Sequence, residues 1–235
     1  MNGQLSFIAT VGALAIFAIG ASPARANLII DGGFETPVIA AGTYTAFSVG
    51  QTLGDWTVIG TAAQQAPAVA IVSSTFTEPP DPPYINTSQE GNQWIDLTGV
   101  AVNGPNGVQQ TVATTVGVKY ELSFWIGNVS GLDRGPVTNI EAFVDGVSLG
   151  IFTNSTPGTI LAWSEFTEEF TASGSSTVIA FINRDPLDDH VSGLDNVTLN
   201  IVAVPEPATY VLMLSGLSLI GFTTRRRNPS RPISN

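Results

Sequence analysis

The chain has no cysteine, one histidine and only eight lysines and arginines in 235 residues. Without cysteine there is no disulfide framework, no thiolate nucleophile and no Cys-held zinc, so stability has to come from a buried core. The histidine, His190, sits in DPLDDHVSG (185–193) beside Asp188 and Asp189. It reads as a solvent-facing loop residue, and no G-x-S-x-G nucleophile elbow accompanies it. Five of the eight basic residues (Arg25, Arg225, Arg226, Arg227 and Arg231) lie at the two ends. Between residues 27 and 204 only Lys119, Arg134 and Arg184 face eighteen carboxylates, a net charge of −15. A basic patch for nucleic acid or for an anionic membrane surface is thereby excluded.

The ends are also compositionally distinct. Phe7 to Gly20 is a continuous apolar stretch of signal-peptide length, and Ala24-Arg25-Ala26 supplies the small-x-small cleavage pattern, although MNGQLS lacks the usual Lys or Arg. Residues 1–26 therefore read as an export signal. At the other end Ala208 to Phe222 carries no charge over 15 residues, slightly short of the roughly 17 to 25 that span a bilayer comfortably. The arginines behind it hold that end inside and leave the body outside.

Long stretches with a 3.6-residue period are missing as well. The body, residues 27–203, is rich in Val, Ile, Thr, Phe and Gly and is interrupted by Gly, Pro, Asn and Asp, the pattern of an all-β domain. Strands are expected at 27–30, 55–60, 67–72, 92–99, 107–115, 119–128, 139–145, 147–153, 162–172, 177–184 and 194–202. Asp145-Gly146 marks a tight hairpin. Segments 74–91, with four prolines, and 129–138 read as loops. About eleven strands imply a two-sheet sandwich of jelly-roll type, flanked by a signal helix and a C-terminal transmembrane helix.

Alternation along the strands separates core from surface. Tyr120, Leu122, Phe124 and Ile126 share one face and Glu121, Ser123 and Trp125 the other. The same parity places Trp94 beside Asp96 and Thr98, and Trp163 in line with Glu165, Thr167 and Glu169, opposite Phe166 and Phe170. Glu168 would then be buried unless a bulge frees it. Trp56 shares a face with Val58 and reads as core. An indole on a polar strand face suits the apolar face of a pyranose, with neighbours bonding its hydroxyls; the alternative is that these rings cover the sheet beneath a loop. Glu165 and Glu169 form a carboxylate pair, but any acidic strand supplies one, and a single strand does not place acid and nucleophile on opposite sides of a bond. N-x-S/T sequons stand at Asn86, Asn128, Asn154 and Asn196.

Two resemblances follow from these residues. Pro205-Glu206-Pro207, the apolar run with Gly216 and Gly221, and the cluster Arg225, Arg226, Arg227 resemble a PEP-CTERM sorting signal, which implies handling by an exosortase-type enzyme and a transient hold on the inner membrane for residues 204–235. NLIIDGGFETP (27–37), GDWTV (54–58), GNQWIDL (91–97), GVQQTV (107–112), YELSFWIGN (120–128) and GLDNVTL (193–199) resemble choice-of-anchor C and galactose-binding-like domains. That resemblance implies a jelly roll with a structural Ca²⁺, for which Glu35 and Asp195 match the ligand positions; Asp195 equally suits bonding to turn amides. The combined expectation is an exported, non-catalytic module that binds matrix or cell-wall polysaccharide. Trp94, Trp125 and Trp163 would stack sugars, with Asp96 and Arg134 as polar partners. The alternatives are a purely structural matrix protein and, behind it, a glycan-active hydrolase.

Overall fold

The computed structural model describes residues 26–61, 68–78, 83–99, 104–131, 134–186, 191–203 and 207–226. The export signal and His190 lie outside the described residues, as do Pro205, Glu206 and Arg227 of the tail. In chain order the strands are β1 (Tyr44–Phe47), β2 (Thr52–Leu53), β3 (Trp56–Ile59), β4 (Val69–Ser73), β5 (Thr77–Glu78), β6 (Tyr84–Ile85) and β7 (Gln93–Asp96). They continue with β8 (Gly107–Ala113), β9 (Lys119–Asn128), β10 (Thr138–Val144), β11 (Val147–Asn154), β12 (Ala162–Thr171), β13 (Ser176–Asn183) and β14 (Gly193–Ile201), and helix α1 (Pro207–Arg226) closes the order.

Two six-stranded antiparallel sheets carry the body. One runs β1-β4-β7-β14-β9-β12 and the other β11-β10-β13-β8-β3-β2; β5 and β6 form a small separate ladder. The expected jelly-roll sandwich is what the chain forms. Alternation drives it: Tyr120, Leu122, Phe124 and Ile126 of β9 are fully buried, and Phe124 meets Phe181 of β13 at 4.9 Å and Phe152 of β11 at 5.1 Å between ring centroids. Trp56 is core as expected, with its indole N–H donating to the Asp31 carbonyl at 2.9 Å. Asp145 and Gly146 have φ of 50° and 78°, the positive values that the β10–β11 hairpin requires.

Three expectations need correction. Residues 27–30 form no strand; two single backbone bonds instead lay this segment along β14, Leu28 N–H donating to Leu199 O and Val197 N–H donating to Gly32 O, both at 2.9 Å. Segment 74–91 is not wholly irregular, since β5 and β6 pair within it. No bulge frees Glu168: β12 pairs with β9 in unbroken register from Ala162 to Thr171. Glu168 is half-buried because β12 is the sheet edge, where a long side chain turned inward still reaches the rim.

Helix α1 covers the expected apolar run, and all ten side chains described in it, residues 213–222, are exposed. Among the described residues no helix is long and apolar enough to cross a membrane. The sequons at Asn86, Asn128 and Asn154 are buried, each 1 % exposed. Asn154 Nδ2 ties β9 to β12 through Ile126 O at 2.7 Å and Ala162 O at 2.8 Å, and Asn128 Nδ2 donates to Thr156 O at 2.9 Å, so these two asparagines are internal ties.

One close approach sets the joint between β8 and β13. A Cβ on Gly107 would lie 1.8 Å from the Phe181 carbonyl oxygen, a backbone atom held by both neighbours. Gly107→Ala is expected to cost about 3 kcal/mol or more in urea unfolding. Gly117→Ala, with φ of 78° but open space around it, should cost only about 1–2 kcal/mol. Equal losses would mean that backbone conformation, not the approach of Phe181, governs the site.

Candidate functional site

The outer face of the first sheet gathers the side chains that parity singled out. The register aligns Asp96 of β7, Gly193 of β14, Gly127 of β9 and Trp163 of β12 in one row. Two residues along, Asp195, Trp125 and Glu165 form a second row, and Trp94 lies one step beyond the last paired residues on the β7 side of Asp195. The glycines make the first row flat. A Cβ on Gly127 would stand 2.9 Å from the Trp163 six-membered ring, and one on Gly193 would stand 3.2 Å from it. Trp163 therefore lies down across two neighbouring strands and reaches Trp94, ring centroids 6.0 Å apart and edge-on.

A strap, residues 84–92, crosses this face. Trp163 Nε1 donates to Thr87 O at 2.8 Å. Asp195 Oδ2 accepts from the backbone N–H of Gln89 at 2.8 Å and of Glu90 at 3.0 Å, and Asn196 Nδ2 donates to Gln89 Oε1 at 2.8 Å. At the far end Glu35 Oε1 accepts from Asn92 N at 2.7 Å and Gln93 N at 2.8 Å. Trp163, Asp195 and Glu35, picked out separately as sugar platform and calcium ligands, are thus three anchors of one segment.

The strap changes the status of the predicted sugar residues. Trp94 is no open platform: it is 1 % exposed, packed with Tyr84, Val72, Val129, Leu161 and Val191 in a satellite core. Asp96 is buried too, its Oδ1 accepting from Thr98 N at 3.0 Å, Thr98 Oγ1 at 2.7 Å and Ser192 N at 3.0 Å. Arg134 pairs with Glu78 and lies over the Tyr84 ring, 5.3 Å from its centroid. Parity assigned the faces correctly, but a face covered by a strap is interior, and nothing in a strand's own alternation reports what covers it. Trp125 and Trp163 remain half-buried, reachable from solvent, with Ser123 Oγ donating to Glu165 Oε1 at 2.8 Å beside Trp125. Tyr84, Asn86 and Glu90 belong to the site and were missed; their only signal was two aromatic or polar positions next to a proline-rich stretch.

On the strap's other side a pocket of ≈ 380 Å³ is lined by Asp31, Gly33, Glu35, Glu90, Asn196 and Thr198, among others. Gly33 marks where its acids meet. An added Cβ there would be 3.6 Å from Glu90 Oε2, 3.8 Å from Asp195 Oδ1 and 3.9 Å from Glu35 Cγ. Among the described residues no three His, Asp or Glu side chains gather closely enough to form a ready metal cage. Electrostatics mark the same region. Burial raises the Asp195 carboxyl to about 7, against three backbone N–H bonds that oppose the rise. Burial likewise raises Asp96 to about 6.

With this geometry in hand, comparison with known proteins gives two results. A family model described as HpiC1 cyclase matches residues 25–200. The chain belongs to the HpiC1 cyclase family. A second model, the PEP-CTERM protein-sorting motif, matches residues 203–227 and takes in Pro205, Glu206, Pro207, Arg225, Arg226 and Arg227. The tail is a PEP-CTERM signal, which indicates export and membrane-associated sorting with exosortase processing. No curated protein sequence matches the chain.

Similar solved structures include the Stig cyclase Fisc from Fischerella sp. TAU in complex with (3Z)-3-(1-methyl-2-pyrrolidinylidene)-3H-indole. It is 22% identical with a TM-score of 0.53 over 77% of this chain and 100% of that one. A cyclase from the same organism with 4-(1H-indol-3-yl)butan-2-one is 23% identical, TM-score 0.52, with the same coverage. TmCBM61 in complex with beta-1,4-galactotriose is 17% identical, TM-score 0.44, over 75% and 99% of the two chains. The cyclases share the fold of this member of the HpiC1 cyclase family.

The raised acids fix a pH dependence. The folded-state value of Asp96, about 6, lies above its ordinary 3.8, so the folded protein binds a proton more readily than the unfolded chain. Its stabilising contribution is full below about pH 4 and is lost as pH rises through 6. A shift of this size corresponds to about 2–3 kcal/mol. In urea unfolding the wild type should gain about that much between pH 7.5 and pH 4 relative to Asp96→Asn; parallel pH profiles for the two would show that another group titrates.

Proposed function

We propose that the protein is an exosortase-sorted component of the cell surface or extracellular matrix whose β-sandwich binds polysaccharide on the outer face of its first sheet without chemistry. The observation that carries this reading is Trp125. It is a half-buried indole, open to solvent on one side, and the register sets it between Asp195 and Glu165, with the Ser123 hydroxyl at hand. Such a ring can cover the apolar face of a pyranose while the Glu165 carboxylate and the Ser123 hydroxyl bond its hydroxyls. Trp163 extends the platform along β12. The strongly acidic body suits a secreted protein surrounded by neutral polymer and disfavours nucleic acid as a partner.

The structural Ca²⁺ expected at Glu35 and Asp195 belongs to the same proposal, as a site that backbone carbonyls or water would have to complete, because among the described residues no three acids gather there. Glu90 Oε2 and Asp195 Oδ1 approach one point beside Gly33, Glu35 keeps its second carboxylate oxygen free of the two strap bonds, and the donor set is oxygen only, as this ion prefers. The ion would supply the positive charge that a desolvated Asp195 lacks, and would hold the N-terminal segment, the strap and β14 together.

A second reading rests on Asp195 itself. A carboxyl that is 0 % exposed, raised to about 7 and in line with two tryptophans is poised as a general acid, and the family takes its name from a cyclase. The similar cyclases carry indole compounds, and the half-buried rings of Trp125 and Trp163 suit a flat apolar ligand as well as a sugar ring.

One experiment separates these readings. The full chain in detergent micelles is titrated with a panel of oligosaccharides and with 4-(1H-indol-3-yl)butan-2-one, with and without a calcium chelator. Trp125→Ala should abolish glycan binding. Chelation should lower Tm by several degrees. Binding of the indole compound alone, with product formation that Asp195→Asn abolishes, would replace the carbohydrate reading by the catalytic one.

A further inference from the structure

An open β-sheet ends in strands whose outward N–H and C=O groups lack a ladder partner, and soluble proteins blunt such edges with charge, bulges or brevity. The two large sheets have four edge strands, β1 and β12 in the first and β11 and β2 in the second. Strand β12 carries Glu165, Glu168 and Glu169. In β11 the register shifts opposite Ala142 and Phe143, and the Ser148 hydroxyl accepts the Gly150 N–H at 3.1 Å. Strand β2 has only two residues. Among the described residues β1 is the edge left without such protection: its register with β4 is unbroken, and residues 36–54 hold no charged side chain.

The bonded side of β1 defines its free side. Ser73 N–H donates to Thr43 O at 3.0 Å and Ala68 N–H to Phe47 O at 2.7 Å. The odd-numbered residues thus turn their backbone groups toward β4, and the N–H and C=O of Tyr44 and Ala46 point outward. Both side chains stand on the outer face of the sheet. Tyr44 is 47 % exposed and meets Phe76 edge-on, ring centroids 5.3 Å apart, while Ala46 packs at the margin of the satellite core. Such an edge is recognised by another extended strand. Its neighbours limit the register: the Gly42 N–H already donates to Thr75 Oγ1 at 2.8 Å and the Ser48 N–H to Gln51 Oε1 at 2.6 Å.

We propose that β1 pairs with β1 of a second copy of this chain, antiparallel about a two-fold axis at Thr45, so that Tyr44 lies opposite the partner's Ala46. Self-pairing in this register uses the two free residues of both copies at once and sets a large side chain against a small one on the outer face. An axis at Tyr44 or at Ala46 would instead call on the N–H of Gly42 or of Ser48, which is already taken. Charge selects the same edge. The net −15 of the body opposes contact between copies, whereas residues 36–77 contribute a single charged side chain, Asp55. The sorting tail gathers copies at one membrane, and that local concentration lets a short contact form. The pairing is independent of what the outer face binds.

The test uses the full chain in detergent micelles, followed by sedimentation velocity and by disulfide cross-linking. Because the protein has no cysteine, Thr45→Cys supplies a single thiol at an exposed position of the edge. In the proposed pair the two copies of this position face each other with Cα atoms about 4.5 Å apart, inside the roughly 4.4–6.8 Å that a disulfide spans. The expected results are a concentration-dependent dimer in the wild type, a disulfide-linked dimer in Thr45→Cys but not in Thr167→Cys on β12, and association at least about tenfold weaker in Tyr44→Glu. Association that survives Tyr44→Glu without a disulfide in Thr45→Cys would place the contact elsewhere, helix α1 included, and overturn the proposal. Loss of association in Tyr44→Glu without that disulfide would overturn the strand register, and with it the proposal. A wild type that stays monomeric while Thr45→Cys stays reduced, or equal cross-linking of Thr45→Cys and Thr167→Cys, would overturn it as well. Should Tyr44→Glu fail to fold, the two cysteine variants decide.

Discussion

Asp195 is the buried group on which the arrangement of this face depends. Its carboxylate accepts from the backbone N–H of Gln89, Glu90 and Asn196 at 2.7–3.0 Å. It stands at the irregularity in the β14–β9 ladder between Asp195 and Thr198, where Asn196 has a φ of 46°. Directly after it Val197 N–H reaches back to Gly32. One side chain thus joins the strap to the last strand, and the backbone beside it holds the N-terminal segment. Losing the carboxylate would release the strap from β14, whereas losing a surface ion pair such as Lys119 with Glu169 would change little.

That arrangement carries an electrostatic cost. Three backbone dipoles stabilise the anion, yet burial outweighs them, and Glu90 adds a like charge. The body has so few cations that none is at hand: among the described basic side chains Arg134 pairs with Glu78, Arg184 with Glu141 and Lys119 with Glu169. Relief has to come from outside the chain, as a proton or as a metal ion, and the acid-lined pocket beside Gly33 offers the route by which either arrives.

Much of the fold was legible because alternation is a local property. The inward set of β9, the outward set of β12 and the Asp145-Gly146 turn follow from two-residue periodicity and φ preferences alone. What escaped was whatever depends on cover. Trp94 and Asp96 were correctly placed on the outer face but are interior, because Tyr84, Phe76 and the strap close over them, and a segment bounded by prolines gives no periodic signal of where it will lie. Glu168 escaped for the opposite reason: its inward turn was legible, but its position on a sheet edge depends on which strands pair, a non-local fact. For Asp195 the sequence offered two readings, an oxygen ligand and a partner of turn amides, and the backbone bonds show the second.

The roles open to Asp195 exclude one another, which ties the metal question to the catalytic one. A general acid has to hold its proton at working pH, and desolvation by itself would let this carboxyl do so. A Ca²⁺ bound through Asp195 Oδ1 would stabilise the anion, lower its proton affinity and remove the acid. A chain in which Glu35, Glu90 and Asp195 hold calcium therefore cannot use Asp195 for proton donation. In that state the outer face is left with indoles, hydroxyls and paired charges, an inventory suited to holding a polymer, not to transforming one. A chain without calcium keeps Asp195 buried beside Trp125 in the register, its proton affinity raised by desolvation. The occupancy of the point beside Gly33 thus decides between the two readings before any ligand is named.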